Sequence, residues 1–200
     1  LFEDYIIDVA KSYCSEYEWR HLEEGCKKQS DFYFDFGSVR LVVEAKSALL
    51  GLNGKQQVPI TSTIDQFYRN TIQKAYQQLQ SSYTELISAD TTPLLKIILL
   101  YDEFSNTAII EQSISEIFLN DPTCYIMTIR DLEILLYAHK HSESQFKAVL
   151  NCMANPQGKS RERKCVTAIL EEHDLRENHH FDGDRDYFKI LLEYLKTQIQ

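Results

Sequence analysis

Asp31-Phe32-Tyr33-Phe34-Asp35-Phe36-Gly37-Ser38-Val39-Arg40-Leu41-Val42-Val43-Glu44-Ala45-Lys46-Ser47 reads as two alternating, aromatic and β-branched strands joined by a glycine turn. Gly37 suits the first central position of a type II′ hairpin, where φ is positive. With Gly37-Ser38 as that turn, opposed residues have numbers adding to 75, so Phe36 faces Val39, Asp35 faces Arg40 and Asp31 faces Glu44. Strand side chains alternate between faces, and directly opposed residues share a face. One face is then wholly apolar, built from Phe32, Phe34, Phe36, Val39, Leu41, Val43 and Ala45, and must be core. The other carries Asp31, Tyr33, Asp35, Arg40, Val42, Glu44 and Lys46. Two acids and a lysine converge at its end, away from the turn.

Neighbouring carboxylates repel unless a cation lies between them or one stays protonated. Mg²⁺ resolves the conflict, because it takes hard oxygen ligands, needs only one or two protein carboxylates, and leaves positions for water and phosphate oxygens. A cation held by Asp31 and Glu44 would polarise a phosphate, and Lys46 would orient the attacking water or neutralise developing charge. The pattern points to metal-dependent phosphodiester hydrolysis. Asp35, opposite Arg40, reads as half of a cross-strand ion pair rather than as a ligand.

Asp31, followed thirteen positions later by Glu44-Ala45-Lys46, resembles the D…(D/E)xK signature of the PD-(D/E)XK, restriction-endonuclease-like superfamily of metal-dependent nucleases. The resemblance covers roughly residues 1–103 in element order and is specific at the hairpin. It implies a restriction-endonuclease-like α/β core in the order α-β-β-β-α-β, with a mixed central sheet flanked by helices. It implies Asp31, Glu44 and the Ala45 carbonyl as ligands of Mg²⁺ or Mn²⁺, and Lys46 as the catalytic lysine. Glu3 on the first helix and Gln78 on the helix after the catalytic strand occupy places where members of the superfamily carry site residues. Two positions depart from the pattern. Ser30 stands where a proline often precedes the first acid, and Gln78 and Tyr83 are one residue further apart than the Gln-x-x-x-Tyr of the exonuclease branch. The implied activity is a deoxyribonuclease, an endonuclease of restriction, antiviral (phage) defence or repair. The implied partner is DNA, with a homodimer or a larger multisubunit assembly as the setting.

The flanks agree with that order. Phe2, Tyr5, Ile6, Val9 and Tyr13 predict an amphipathic helix over residues 1–15, and a first strand follows at 16–22. Residues 48–61, with Gly51, Gly54 and Pro59, read as a loop. Thr63-Ile64-Asp65-Gln66 looks like a capping box that opens a long helix with an apolar stripe at Ile64, Tyr68, Ile72, Ala75, Leu79, Tyr83 and Leu86. Pro93 to Asp102 is a nearly continuous apolar run, as expected of a strand buried on both faces. A helix at about 107–119, a strand from Cys124 to Thr128 and a helix opened by Thr128-Ile129-Arg130-Asp131 follow. Residues 1–140 thus form the expected nuclease-like core. Residues 141–200, with helices at 142–154, 165–176 and 185–198, form a helical extension packed on the same domain.

The 200 residues suffice for one domain with a sizeable core. The sequence contains no membrane-length apolar run and no signal-peptide pattern. The chain starts at Leu1 rather than methionine, which fits a segment of a longer protein. Five cysteines without close pairs suit reduced thiols and a cytoplasmic location. Cys152, Cys165 and His173 match no standard zinc spacing. A net charge of −9 argues against a generic nucleic-acid coat but not against a nuclease, since a local basic strip can hold a backbone. Lys159, Arg161, Arg163 and Lys164 are that strip, in a segment that also reads as a solvated loop. His179 to Asp186 reads as a loop and helix cap, without the terminal glutamate of a calcium loop. A rival reading is a non-catalytic nucleic-acid- or protein-binding domain that keeps the nuclease fold within a larger assembly.

Overall fold

The glycine turn closes with Gly37 at φ +75°, a conformation open to glycine and costly for other residues. It is tighter than a four-residue turn: Ser38 N–H donates to Phe36 O at 2.9 Å, and Phe36 N–H to Val39 O at 3.1 Å. Asp35, opposite Arg40 in the ladder, accepts the Gly37 N–H at 2.9 Å and so caps the turn. The computed structural model describes residues 1–22, 30–48, 61–86, 91–101, 121–156 and 165–175. The expected helices at 107–119 and 185–198, most of the loop at 48–61, the strip Lys159, Arg161, Arg163 and Lys164, and the His179 to Asp186 link lie outside the described residues.

Strand β1 (Trp19–His21) pairs antiparallel with β2 (Phe32–Asp35), and β2 pairs antiparallel with β3 (Arg40–Lys46). The β2–β3 register, Phe32 with Val43 through Asp35 with Arg40, follows the arithmetic of the turn. Strands β4 (Leu94–Leu100) and β5 (Cys124–Thr128) continue the sheet in parallel, giving the order β1-β2-β3-β4-β5. Every residue of β4 is buried, as its unbroken apolar run requires.

Helices cover both faces. Helix α1 (Phe2–Tyr13) buries Ile6, Val9 and Ala10 on the face that carries Phe32, Phe34, Leu41 and Val43. It meets α4 (Ile129–His141), where the Tyr5 hydroxyl bonds the Glu133 carboxylate and the Tyr13 and Tyr137 rings meet edge to face. Helix α5 (Glu143–Ala154) and α6 (Val166–Glu172) add Phe146, Val149, Leu150, Val166 and Ile169 to the same core. The Thr128 side chain accepts the Asp131 N–H, and Asp131 answers at the Thr128 N–H, so the expected capping box opens α4. The opposite face, with Val42, Ile98 and Leu100, is covered by α2 (Thr61–Phe67), a π-helical turn (Tyr68–Ile72) and α3 (Gln73–Leu86). The expected Thr63 cap lies inside this helical run, which is already formed at Thr61. The π turn falls inside the apolar stripe and ends at Ile72, which with Ala75 and Leu79 of α3 is fully buried against the sheet.

Phe34 is fully buried in the larger core and stacks on Phe36 with ring centroids 5.9 Å apart. Truncation leaves a cavity that close-packed neighbours fill only in part, so Phe34→Ala is expected to cost about 3–5 kcal/mol. Urea unfolding measures it.

Candidate metal and nucleic-acid site

Glu44 and Lys46 leave β3 on the same face, toward α3. Glu44 is 1% exposed. Its Oε1 accepts from Lys46 Nζ at 2.5 Å, and the ammonium also donates to Gln78 Oε1 at 2.9 Å. Gln78 therefore reaches the site despite the irregular spacing to Tyr83.

The ladder ends one pair earlier than the turn arithmetic predicts. Asp31 is not a ladder partner of Glu44. Its N–H donates instead to Val43 O at 3.0 Å, so the regular pairing stops at Phe32 and Val43. Beyond that last pair the Asp31 carboxylate turns onto the β3 main chain, where Oδ2 accepts the Ala45 N–H at 2.6 Å. Ser30 N–H donates to Ser82 Oγ of α3 at 2.7 Å, a bond that proline at this position could not make. The departure at Ser30 is thus coupled to the way α3 holds the strand entry.

Charge crowding marks the cluster. Burial, then the Asp31 charge, push the Glu44 carboxyl up to about 7, and Glu3 adds to the push. Asp31 is also raised, by burial first and by Glu3, against the pull of the Ala45 N–H, Lys46 and His21. Glu3 is exposed on the first turn of α1 and lies 3.4 Å from His21 Nε2 on β1. The structure thus brings Glu3, Asp31, Glu44, Lys46 and Gln78 into one neighbourhood and adds His21. His21 carries no motif; its only signal was its place at the end of β1, opposite Phe32.

Glu44 Oε2 is buried with no hydrogen-bond partner. A buried carboxylate oxygen left unpaired is costly. Together with the raised Asp31 and Glu44 carboxyls, it makes an all-oxygen donor set of the kind a hard divalent cation takes. The residues present fit Mg²⁺ or Mn²⁺. Among the described residues, Cys152, Cys165 and His173 do not gather into a metal-ligand group.

No protein-family model and no curated protein matches the sequence. Among solved structures, the small subunit of the heterodimeric restriction endonuclease R.BspD6I is similar at a TM-score of 0.50 and 10% identity, over 86% of this chain and 87% of that one. The fold is restriction-endonuclease-like. In this restriction-endonuclease-like sheet Glu44 stands near the C-terminal end of β3, beyond the last β2 pair at Val43 and still paired in parallel with β4. Among the described residues, no helix is long and apolar enough to cross a membrane.

Proposed function

We propose that the chain is a metal-dependent nuclease domain of the PD-(D/E)XK type that hydrolyses phosphodiester bonds in DNA, acting as an endonuclease. The observation that carries the reading is the buried, unpartnered Glu44 Oε2 beside the crowded Asp31 carboxylate and the Lys46 ammonium. Asp31, Glu44 and the Ala45 carbonyl would hold Mg²⁺ or Mn²⁺, which when bound supplies Lewis-acid polarisation of the phosphate and a more acidic water. Lys46, tethered by Glu44 and Gln78, presents its remaining donor capacity to the attacking water or the phosphate oxygens. Glu3 and His21 flank the acids, and the Glu3 charge adds to the crowding of Asp31 and Glu44. By analogy with the heterodimeric restriction enzyme, the domain works in a dimer or larger assembly in restriction, phage defence or repair, in the cytoplasm.

Purified chain with Mg²⁺ or Mn²⁺ is expected to cut supercoiled plasmid. Lys46→Ala should retain Mn²⁺ binding yet cleave roughly 10²–10³-fold more slowly. Neither Mn²⁺ binding nor cleavage of plasmid, single-stranded DNA or RNA would overturn the enzyme reading in favour of a binding domain on the nuclease fold.

A further inference from the structure

We propose that Cys14, Glu18 and His139 form a second metal site, selective for Zn²⁺ or another thiophilic cation and separate from the carboxylate site. Cys14 follows the last turn of α1, Glu18 precedes β1, and His139 lies in the last turn of α4. Their ligand atoms all lie within 4.8 Å of one another. His139 Nε2 is 2.9 Å from Glu18 Oε1, and Glu18 Oε2 accepts both the N–H and the hydroxyl of Ser15, at 2.8 and 2.9 Å. The carboxylate is therefore oriented from behind, as metal-ligating carboxylates are. The imidazole is packed against Phe36 and Phe146, at 5.1 and 4.7 Å between ring centroids, and its Nδ1 is buried without a partner.

A glutamate–histidine ion pair joining the α1–β1 turn to α4 would explain the 2.9 Å contact alone. It does not explain why a half-buried thiol shares the group. One sulfur, one imidazole nitrogen and one carboxylate oxygen are a three-ligand set that Zn²⁺ completes with water, and that Mg²⁺ disfavours. Cys14 and Glu18 are four residues apart, but His139 arrives from a distant helix, so no sequence spacing announces the site.

The site sits at the opposite end of α1 from Glu3, about 16 Å away at 1.5 Å per residue. A cation there would pin α1, the turn into β1 and α4 together. Glu3 lies on α1 and His21 at the end of the strand that the turn leads into, so the pin would set how they approach Asp31.

The test is a Co²⁺ titration of the metal-free 200-residue chain, followed by Zn²⁺ competition. One equivalent is expected to give a thiolate-to-cobalt charge-transfer band that Zn²⁺ displaces and that the Asp31→Asn/Glu44→Gln double variant retains. Cys14→Ser and His139→Ala should each weaken Zn²⁺ binding at least tenfold, in line with loss of a ligand or its support. A folded Cys14→Ser variant that keeps the band, or a wild-type chain that shows none, overturns the proposal. If Cys14→Ser does not fold, alkylation of the wild-type chain decides. Zn²⁺ should slow modification of Cys14, mapped by mass spectrometry, at least tenfold, and an unchanged rate overturns the site. None of these readouts depends on nuclease activity.

Discussion

Glu44→Gln is expected to abolish metal-dependent cleavage and, in the same protein, to raise the melting temperature of the metal-free chain above neutral pH. The carboxyl has a folded-state value of about 7 against an ordinary 4.5. Between those values the folded chain binds the proton that the unfolded chain has already lost. Stability from this group is therefore full below about pH 4.5 and falls away as pH rises through 7. At pH 8 the ionised, 1% exposed side chain costs the metal-free fold about 3 kcal/mol, taking 1.36 kcal/mol per unit. Glutamine mimics the protonated acid, so the variant should melt roughly 5–10 °C higher than wild type at pH 8 in chelator and about equally at pH 4.5. Mg²⁺ or Mn²⁺ should reverse the ranking, because binding N but not U stabilises only a chain that can hold the cation. Cleavage should fall by at least about 10²–10³-fold. Equal melting at all pH values would show that Glu44 is not crowded. Undiminished cleavage would remove it from the metal site.

The fold was legible where the chain's own periodicity controls it. The hairpin register followed from one glycine and two alternating strands, since a one-residue slip would have turned Phe32 and Phe34 out of the core. The Thr128 cap and the buried β4 run are likewise local signals. The Asp31 environment was not legible in full, because the point at which the ladder ends leaves the alternation of the residues themselves unchanged and shows only in where the N–H of Asp31 goes. Thr63 carries cap chemistry but lies inside α2, not at its start. Contacts between distant segments carried no signal at all. His139 with Cys14, Glu3 with His21, and Lys96 with Asp121 are separated by long stretches of chain, and tertiary packing alone brings them together.

Asp121→Ala is expected to be the most destabilising polar substitution among the described residues. Lys96, on the face of β4 toward α3, is 4% exposed and 2.7 Å from Asp121 Oδ2, with its ammonium 4.2 Å from the centre of the Tyr83 ring. Asp121 also accepts from the Tyr76 hydroxyl and Gln80 Nε2 at 2.9 Å, and from Thr123 N–H and Oγ at 3.1 and 2.7 Å. Burial opposes ionisation of Asp121, but the bonds from Lys96 and Thr123 prevail and hold it below the ordinary 3.8. Its contribution is therefore present above about pH 3.8 and lost as pH falls through the lower folded-state value, opposite in sign to that of Glu44. Removing the acid leaves a buried ammonium uncompensated, a loss of about 3–5 kcal/mol. Replacing both partners, Lys96→Met with Asp121→Leu, should recover most of it, because the desolvation of both ions disappears together. Urea unfolding at pH 7 and pH 3 checks both statements, with the gap between wild type and Asp121→Ala narrowing at the lower pH. The same helix that meets Asp121 through Tyr76 and Gln80 holds Lys46 through Gln78 and Ser30 through Ser82. A loss near 3 kcal/mol would therefore show that this buried pair anchors the helix on which the candidate site leans. A loss below about 1 kcal/mol, the size of an exposed ion pair, would show that water reaches Lys96 and that apolar packing alone seats α3.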